Sequence, residues 1–357
     1  MNLDATRKRI DDLDARLVQL LNERAEAARD IGQAKAAEGA SVYVPAREQA
    51  VLERVTSINP GPLPEHSVRA IYREIISAST ALESTVRIAY LGPPATFTHQ
   101  AARARFGASV EYLSCETIGD VFGMVEKRTA EYGVVPIENS TEGAVTHTLD
   151  RFVETPLRIC AEIYLPISHN LMAQGERSDI RRIYSNPQVF GQCRGWLQEN
   201  MRGVDLVPVS STARAAEQAA REPESAAMAG LLAAELYGLK ILDRDVQDRG
   251  GNTTRFLVIA RQFGPASGKD RTSLLFSLRH EAGALYRAIS VFNEHGISMS
   301  KIESRPSRLK AWEYYFFVDI DGHAEDQAVQ TALAELARQC TELTVLGSYP
   351  QAIGREG

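Results

Sequence analysis

The chain has 357 residues, 44% of them apolar and 24% charged, which is the composition of globular protein and enough length for two or three domains. Its formal net charge of −6 at pH 7 argues against a nucleic-acid-binding protein, which normally carries a basic excess. The four cysteines form no CxxC pair and the seven histidines show no ligand spacing, so we expect buried thiols in a reducing compartment and no metal site.

The N-terminal segment, residues 1–17, is charged and amphipathic and lacks the apolar centre of a secretion signal. No apolar run approaches the roughly 20 residues that cross a bilayer. We therefore expect a cytoplasmic protein with no membrane partner.

Residues 1–86 predict an all-helical domain of three helices. A second helix begins at Pro45, because proline suits a first helical turn, and a third follows the proline-rich break at 59–64 and runs to about Glu83. The first helix should extend over roughly 30 residues, since apolar side chains recur at helical spacing. These are Leu3, Ile10, Leu13, Leu17, Leu20, Leu21, Ala28 and Ile31.

Two basic residues lie on the apolar stripe of the first helix. Arg24 and Lys35 are eleven positions apart, which returns them to nearly the same face at a separation of about 16 Å. Buried cations require an anion, which is either an acidic side chain of the protein or a ligand. Arg7 lies about 25 Å before Arg24 and reaches the same small ligand only from a second, antiparallel copy. The pattern predicts a homodimer.

Nine positions make this segment resemble the all-helical chorismate mutase family. The resemblance implies a rearrangement of chorismate to prephenate without a cofactor, in which the protein holds a dicarboxylate in its compact conformer. It implies that Arg24 and Arg47 bind carboxylates and that Arg7 comes from the partner chain. The matching residues are Arg7, Ile10, Asp14, Arg24, Lys35, Arg47, Glu48, Ser79 and Glu83.

The same resemblance gives the remaining roles in the mutase site. Lys35 donates to the breaking ether oxygen, Glu48 holds the substrate hydroxyl, and Ser79 contributes to substrate binding. Glu83 stands where many relatives have Gln as a second donor to that oxygen. Because a carboxyl group donates only when protonated, we expect mutase activity to fall as rising pH deprotonates Glu83.

Residues 87–264 alternate short apolar runs with helical patterns, which predicts an α/β domain with a mostly parallel sheet. The length suffices for two lobes with a cleft between them. The predicted strands are 86–91, 132–137, 182–184 and 255–260, and the predicted helices are 97–106, 117–128, 189–199 and 211–220.

Polar residues cluster at the ends of the predicted strands, where α/β sheets place their ligand sites. Each cluster alone is explained by turn or capping chemistry. In their order and spacing, the segments 92–99, 135–144, 184–193 and 252–256 resemble prephenate dehydratase. The resemblance implies a two-lobed fold like that of periplasmic binding proteins, with one lobe at about 87–163 plus 241–262 and the other at 164–240.

Prephenate dehydratase removes CO₂ and water from its substrate, so the site must neutralise two carboxylates and assist the leaving hydroxyl. Thr254 matches the family's essential threonine and is expected to donate to that hydroxyl. Thr96, Thr98 and Arg255 are candidates for holding carboxylates, although an internal ion pair explains Arg255 equally well. Ala95 replaces a glycine that is usual in the family. The other matching catalytic positions are Glu138, Asn139, Ser185 and Gln192.

Residues 270–352 follow the βαββαβ order of a ferredoxin-like α+β domain. Two motifs resemble ACT domains attached to dehydratases: Gly283-Ala284-Leu285 at a helix start and Glu303-Ser304-Arg305-Pro306 at a strand end. The resemblance implies phenylalanine as an effector, since a helix N-terminus offers N–H groups to its carboxylate. A tight helix start and an ordinary strand exit would account for the same residues.

Together the three segments resemble the bifunctional chorismate mutase–prephenate dehydratases of phenylalanine synthesis. A fusion to prephenate dehydrogenase is disfavoured, because no GxGxxG follows a predicted strand. Arogenate as the dehydrated substrate, or a non-catalytic ligand-sensing module, remains an alternative.

Overall fold

A computed structural model describes residues 3–38, 44–306 and 314–352, without the side chains of residues 35–38. The chain divides into two compact units. The first comprises residues 1–87 and 103–111, and the second comprises residues 88–102 and 112–357.

The first unit contains the three predicted helices: α1 (Leu3–Glu38), α2 (Pro45–Ser57) and α3 (Glu65–Glu83). Pro45 occupies the first turn of α2, where its missing N–H costs nothing. With 36 residues, α1 is longer than the sequence predicts and extends about 54 Å.

Most of the apolar stripe of α1 is not covered within the described chain. Leu13 is 45% exposed, Leu17 56% and Leu20 57%. The buried aliphatic side chains of the described helices α1–α3 are Leu52, Val55 and Val68. The first unit therefore has a small internal core beside a long apolar face.

The segment 87–264 forms two sheets. The first sheet has the order β2-β1-β3-β11-β5, with β4 beside β3, and its strands are β1 (Arg87–Leu91), β2 (Glu111–Cys115), β3 (Tyr132–Asn139), β4 (Gly143–Ala144), β5 (Arg158–Pro166) and β11 (Thr253–Ala260). Its helices are α4 (Phe97–Phe106), α5 (Ile118–Glu126) and α6 (Thr146–Glu154).

The second sheet has the order β10-β6-β9-β7-β8. Its strands are β6 (Asn170–Ala173), β7 (Arg182–Ser185), β8 (Asp205–Pro208), β9 (Ser225–Ala229) and β10 (Lys240–Asp243). The accompanying helices are α7 (Pro187–Gln192), α8 (Arg194–Asn200), α9 (Thr212–Ala219) and α10 (Leu231–Tyr237), with a 3₁₀ turn at Arg177–Asp179.

The prediction of a mostly parallel sheet is wrong. β1 pairs with β3 and β7 with β8 and β9 in parallel, but β11 is antiparallel to both β3 and β5, and β6 is antiparallel to β9 and β10. A crossover connection makes consecutive strands of one sheet parallel. β11 instead enters the first sheet from β10 of the second sheet, through residues 244–252, so no such crossover fixes its direction.

The ferredoxin-like prediction is confirmed. β12 (Asp270–Leu278), α11 (Ala284–Glu294), β13 (Met299–Pro306), β14 (Tyr314–Asp321), α12 (Gln327–Ala337) and β15 (Cys340–Pro350) give an antiparallel sheet of order β13-β14-β12-β15. One face packs on the two helices through Phe276, Ala288 and Leu336.

The other face of this sheet packs on the first sheet of the segment 87–264. Leu275, Phe317 and Leu346 belong to one buried cluster with Val135 and Leu257. At Gly347 the two sheets approach so closely that a Cβ atom would overlap the backbone of Ile159. The two domains of the second unit therefore share a continuous apolar core.

Candidate active sites

A cleft of about 380 Å³ lies in the second unit at the ends of β1, β3 and β7 and the start of β11. Five predicted residues line it: Thr96, Thr98, Asn139, Gln192 and Thr254. The sequence missed several other polar residues of its lining, which are Glu142, His169, Gln188, Ser211 and Asn252.

Asn139 and Thr254 stand opposite each other on β3 and β11. The Asn139 Nδ2 donates to Thr254 Oγ1 at 2.8 Å and to Asn252 Oδ1 at 2.8 Å. The Asn139 Oδ1 accepts from the backbone N–H groups of Thr141 and Glu142. The amide is thus oriented by its own turn, and Thr254 Oγ1 serves as an acceptor with its hydrogen still available to donate.

The loop after β1 leads into α4 at the edge of the cleft. Thr96 Oγ1 donates to Leu91 O at 2.9 Å and accepts from His99 N, so it fixes the start of the helix. Thr98 is buried within the first turn. Ala95 adopts φ +69°, a left-handed conformation that favours glycine, which explains the glycine usual at this position.

His169 is a buried member of the cleft. Its Nε2 lies 2.8 Å from Gln192 Oε1, and its Nδ1 has no hydrogen-bond partner among the described residues. Burial lowers the pKa of His169, against the opposing effect of the Gln192 contact, so the imidazole is neutral near pH 7. No motif or ligand spacing in the sequence singled out this histidine.

Ser185 is completely buried at the end of β7 and does not line the cleft. Its Oγ donates to Met228 O at 2.8 Å, which ties β7 to the neighbouring strand β9. The next residue, Asn186, lines the cleft and caps α7 by accepting from Gln188 N. The predicted catalytic serine therefore has a supporting position behind the site.

Glu138 and Arg255 also lie outside the cleft lining, because they alternate with Asn139 and Thr254 along their strands. They stand opposite each other on the face that meets the ferredoxin-like sheet. Glu138 Oε2 lies 2.6 Å from Lys301 Nζ on β13. The internal ion pair that the sequence left open for Arg255 is present.

Arg255 is the centre of a buried polar cluster. Its Nε donates to Glu162 at 2.9 Å, Nη1 to Asp319 at 2.5 Å and Nη2 to the hydroxyl of Tyr349 at 3.0 Å. Burial alone would raise the pKa of Asp319, but the guanidinium of Arg255, the hydroxyl of Ser273 and the charge of Arg271 together outweigh burial and hold that pKa below its ordinary value. Removing one partner of such a cluster leaves an uncompensated buried charge.

In the first unit, α1 and α3 bring two predicted residues together. Arg24 Nη1 donates to Ser79 Oγ at 2.6 Å, and Ser79 Oγ in turn donates to Ile75 O. The side chain of Glu83 packs on Gly32 of α1, where a Cβ atom would lie 2.8 Å from it. Arg24, Ser79 and Glu83 thus share one interhelical face.

The other predicted mutase residues are placed differently. Glu48 is buried, with its Oε2 3.2 Å from Nη2 of Arg105 in the same unit. Arg7 is 68% exposed and lies 3.8 Å from Asp4, while Arg47 is exposed at the start of α2. The side chain of Lys35 lies outside the described part of the chain.

The two motifs of the ferredoxin-like domain have distinct placements. Gly283 caps α11 with φ +77°, which favours glycine, and Ala284 and Leu285 form the first turn. On β13, Ser304 is exposed and Glu303 half-buried. Arg305 donates through Nε and Nη2 to Asp150 of α6, at 3.1 and 2.6 Å.

Among the described residues, no helix is both long and apolar enough to cross a bilayer. No group of three or more His, Cys, Asp or Glu side chains among them is arranged to hold a metal ion.

Comparisons with known proteins agree along the whole chain. Family models match residues 6–84 (Chorismate mutase type II), 88–263 (Prephenate dehydratase) and 272–338 (ACT domain). A bifunctional chorismate mutase/prephenate dehydratase of Aquifex aeolicus is 47% identical over 99% of each chain, and that of Neisseria gonorrhoeae is 44% identical over 97% of this chain and 96% of its own.

A crystal structure of prephenate dehydratase in complex with L-Phe from Arthrobacter aurescens covers 75% of this chain and 90% of its own, with 37% identity and a TM-score of 0.69. Its fold therefore matches the part of the chain that carries the cleft. With both enzyme domains and the ACT domain matched in order, the chain belongs to the family of bifunctional chorismate mutase/prephenate dehydratases.

Proposed function

We propose that Thr254 donates to the ring hydroxyl that leaves prephenate and that Asn139 holds Thr254 in position. The hydrogen bond from Asn139 Nδ2 to Thr254 Oγ1 carries this proposal. A threonine hydroxyl that accepts from an amide still has its single hydrogen to give. Assistance to a poor leaving group by such a donor contributes about 10²–10⁴-fold to the rate.

The substrate carboxylates bind through helix N-termini and neutral donors. None of the residues that line the described cleft is Lys or Arg. The lining does include the first turns of α4 and α9, at Thr98 and Thr212, where backbone N–H groups and the helix dipole favour an anion. Arg255, turned away from the cleft, is not needed for this purpose.

Thr254→Ala tests the donor role. Formation of phenylpyruvate should fall by about 10²–10⁴-fold, whereas Thr254→Ser should keep most of it because the hydroxyl is preserved. Urea unfolding of the same preparations, followed by tryptophan fluorescence of the second unit, serves as the control for folding. Dehydratase turnover that survives in Thr254→Ala would exclude this role.

We further propose that the mutase sites form between two copies of the chain in the cytoplasm. The exposed apolar stripe of α1 supports this, because soluble monomers rarely expose a continuous face of that size. In each site Arg24, Ser79 and Glu83 come from one chain and Arg7 from the other. Lys35 and Arg47 complete the set of donors, and Glu48 binds the substrate hydroxyl.

Mixing two inactive variants tests the shared site. Arg7→Ala and Arg24→Ala should each lose mutase activity as purified homodimers. If each site takes one arginine from either chain, a mixed dimer has one intact site, and random exchange should restore about a quarter of the activity. A mixture that stays as inactive as its components would show that both arginines act within one chain.

The ACT domain is proposed to bind phenylalanine and inhibit the dehydratase. The L-Phe complex of the Arthrobacter dehydratase and the glycine-capped start of α11 support this proposal. Phenylalanine should lower phenylpyruvate formation, and Ser304→Ala should raise the half-inhibiting concentration about tenfold. Ser290→Ala on α11 is the control, and calorimetry without any heat of phenylalanine binding would refute the proposal.

A further inference from the structure

Four charged residues form a quartet at the junction between the dehydratase and ACT sheets: Glu138, Arg255, Lys301 and Asp319. Glu138 and Arg255 are direct neighbours across β3 and β11, and Lys301 and Asp319 are direct neighbours across β13 and β14. The ion pairs run between the sheets, at 2.6 Å from Lys301 to Glu138 and 2.5 Å from Arg255 to Asp319. Each sheet therefore contributes one acid and one base.

The quartet lies directly behind Asn139 and Thr254 of the cleft. Glu138 precedes Asn139 on β3, and Arg255 follows Thr254 on β11, so these two members of the quartet are each adjacent in sequence to a residue of the cleft. Neighbouring residues of a strand face opposite sides of the sheet. A displacement of the Glu138 side chain therefore rotates the backbone that orients Asn139. The Lys301 side chain is only 12% exposed, whereas that of Glu138 is 41% exposed, so water reaches this ion pair from the side of Glu138.

We propose that Lys301 of the ACT domain is a positioning residue for the dehydration step, which it serves by fixing Glu138 and thereby the Asn139–Thr254 pair. The inference rests on the role proposed for Thr254. In this proposal Glu138 does not contact the substrate and acts through the backbone of β3. The ACT sheet then contributes, through Lys301, to the geometry of the dehydratase site.

The first experiment compares Lys301→Met with Asp150→Asn in the full chain. Asp150→Asn weakens the other ion pair from β13, to Arg305, which reaches α6 instead of a cleft strand. Lys301→Met should lower the dehydratase kcat by about tenfold, with KM changed less than about twofold. A displacement of the Asn139–Thr254 pair by less than about 1 Å reduces stabilisation of the transition state more than it reduces substrate binding. Asp150→Asn should keep the native kcat, and the mutase rate should be unchanged in both.

The second experiment separates positioning from direct catalysis. Glu138→Lys and Lys301→Glu should each lower kcat, and the double variant, which restores an ion pair of reversed polarity, should recover at least half of the loss. If Glu138 acted on the substrate, the double variant would be as slow as Glu138→Lys. That result, or a native kcat in Lys301→Met, overturns the inference. Full dehydratase activity in Thr254→Ala would instead exclude Thr254 as the donor. The Lys301 and Glu138 variants would still show whether their ion pair affects kcat.

Discussion

The two units of this chain complete their cores in different ways. In the second unit the dehydratase and ACT sheets bury one another, and a glycine permits backbone contact between them. In the first unit the described helices bury few aliphatic side chains while α1 exposes a long apolar stripe. A core closed within the chain suits a cleft that belongs to one chain, and an open apolar face suits sites built by two copies.

The largest expected effect is on the stability of the apolar core that the dehydratase and ACT sheets share. Gly347→Ala places a Cβ atom against the backbone of Ile159, which cannot yield as a flexible side chain would. We expect the free energy of unfolding of the second unit to fall by about 3 kcal/mol. Urea denaturation followed by tryptophan fluorescence measures it, since neither tryptophan of the sequence lies in the first unit.

The mutase reaction provides the control for Gly347→Ala. If the units are as independent as their cores suggest, mutase activity should persist at urea concentrations that abolish phenylpyruvate formation. A variant with native unfolding behaviour would show that the two sheets are separated further than the structure has them.

A charge on the exposed apolar stripe of α1 should affect the mutase reaction and not the dehydratase reaction. Leu17→Glu puts a carboxylate in the centre of the α1 stripe, and its burial against a second copy would be costly. We expect mutase activity to fall about 100-fold, or about 2.7 kcal/mol, with the dehydratase rate unchanged. Ile58→Glu, at an exposed residue just after α2, is the matched control. Equal mutase rates in the two variants would argue against a shared face.

The difference between the units should also appear in the response to a substitution at Glu83. A carboxyl group donates to the ether oxygen only when protonated, whereas an amide always donates. Glu83→Gln should therefore keep or raise the mutase rate without altering the dehydratase rate. Loss of mutase activity in Glu83→Gln would assign Glu83 another role.

Several features of the fold followed from the sequence. Helical spacing identified α1, the positions of the prolines identified α2 and α3, and the order of elements identified the ferredoxin-like domain. The sequence did not predict that β11 is antiparallel to its neighbours. Its direction depends on the position of β10 in the second sheet, from which the chain returns to the first sheet. His169 was missed since its burial arises from the packing of Phe97 and Gln192, which are distant in sequence.

One error about the cleft arose from the predicted limits of two strands. The sequence ended one strand at residue 137 and began the other at Arg255, whereas β3 extends to Asn139 and β11 begins at Thr253. Glu138 and Asn139 are therefore adjacent within β3, as Thr254 and Arg255 are within β11, and adjacent strand residues face opposite sides of a sheet. They could not all line one cleft. A family motif marks a stretch of backbone, whereas the two-residue period decides which of its side chains reach the substrate. Lys301, the partner of Glu138, had no signal in sequence because the contact joins two domains.

The smallest effect expected belongs to the loop beside the cleft. Ala95 holds φ +69°, a conformation that costs an L residue roughly 1 kcal/mol and costs glycine little. The Ala95 methyl is itself buried, so the loss of its packing and the greater entropy of glycine in the unfolded chain offset most of the relieved strain. Ala95→Gly should therefore change the free energy of unfolding of the second unit by less than about 0.5 kcal/mol. Ala130→Gly, at a buried position without positive φ, should be destabilising by about 1 kcal/mol. If both variants lose the same stability in one urea titration, the loop does not carry the strain inferred from its backbone.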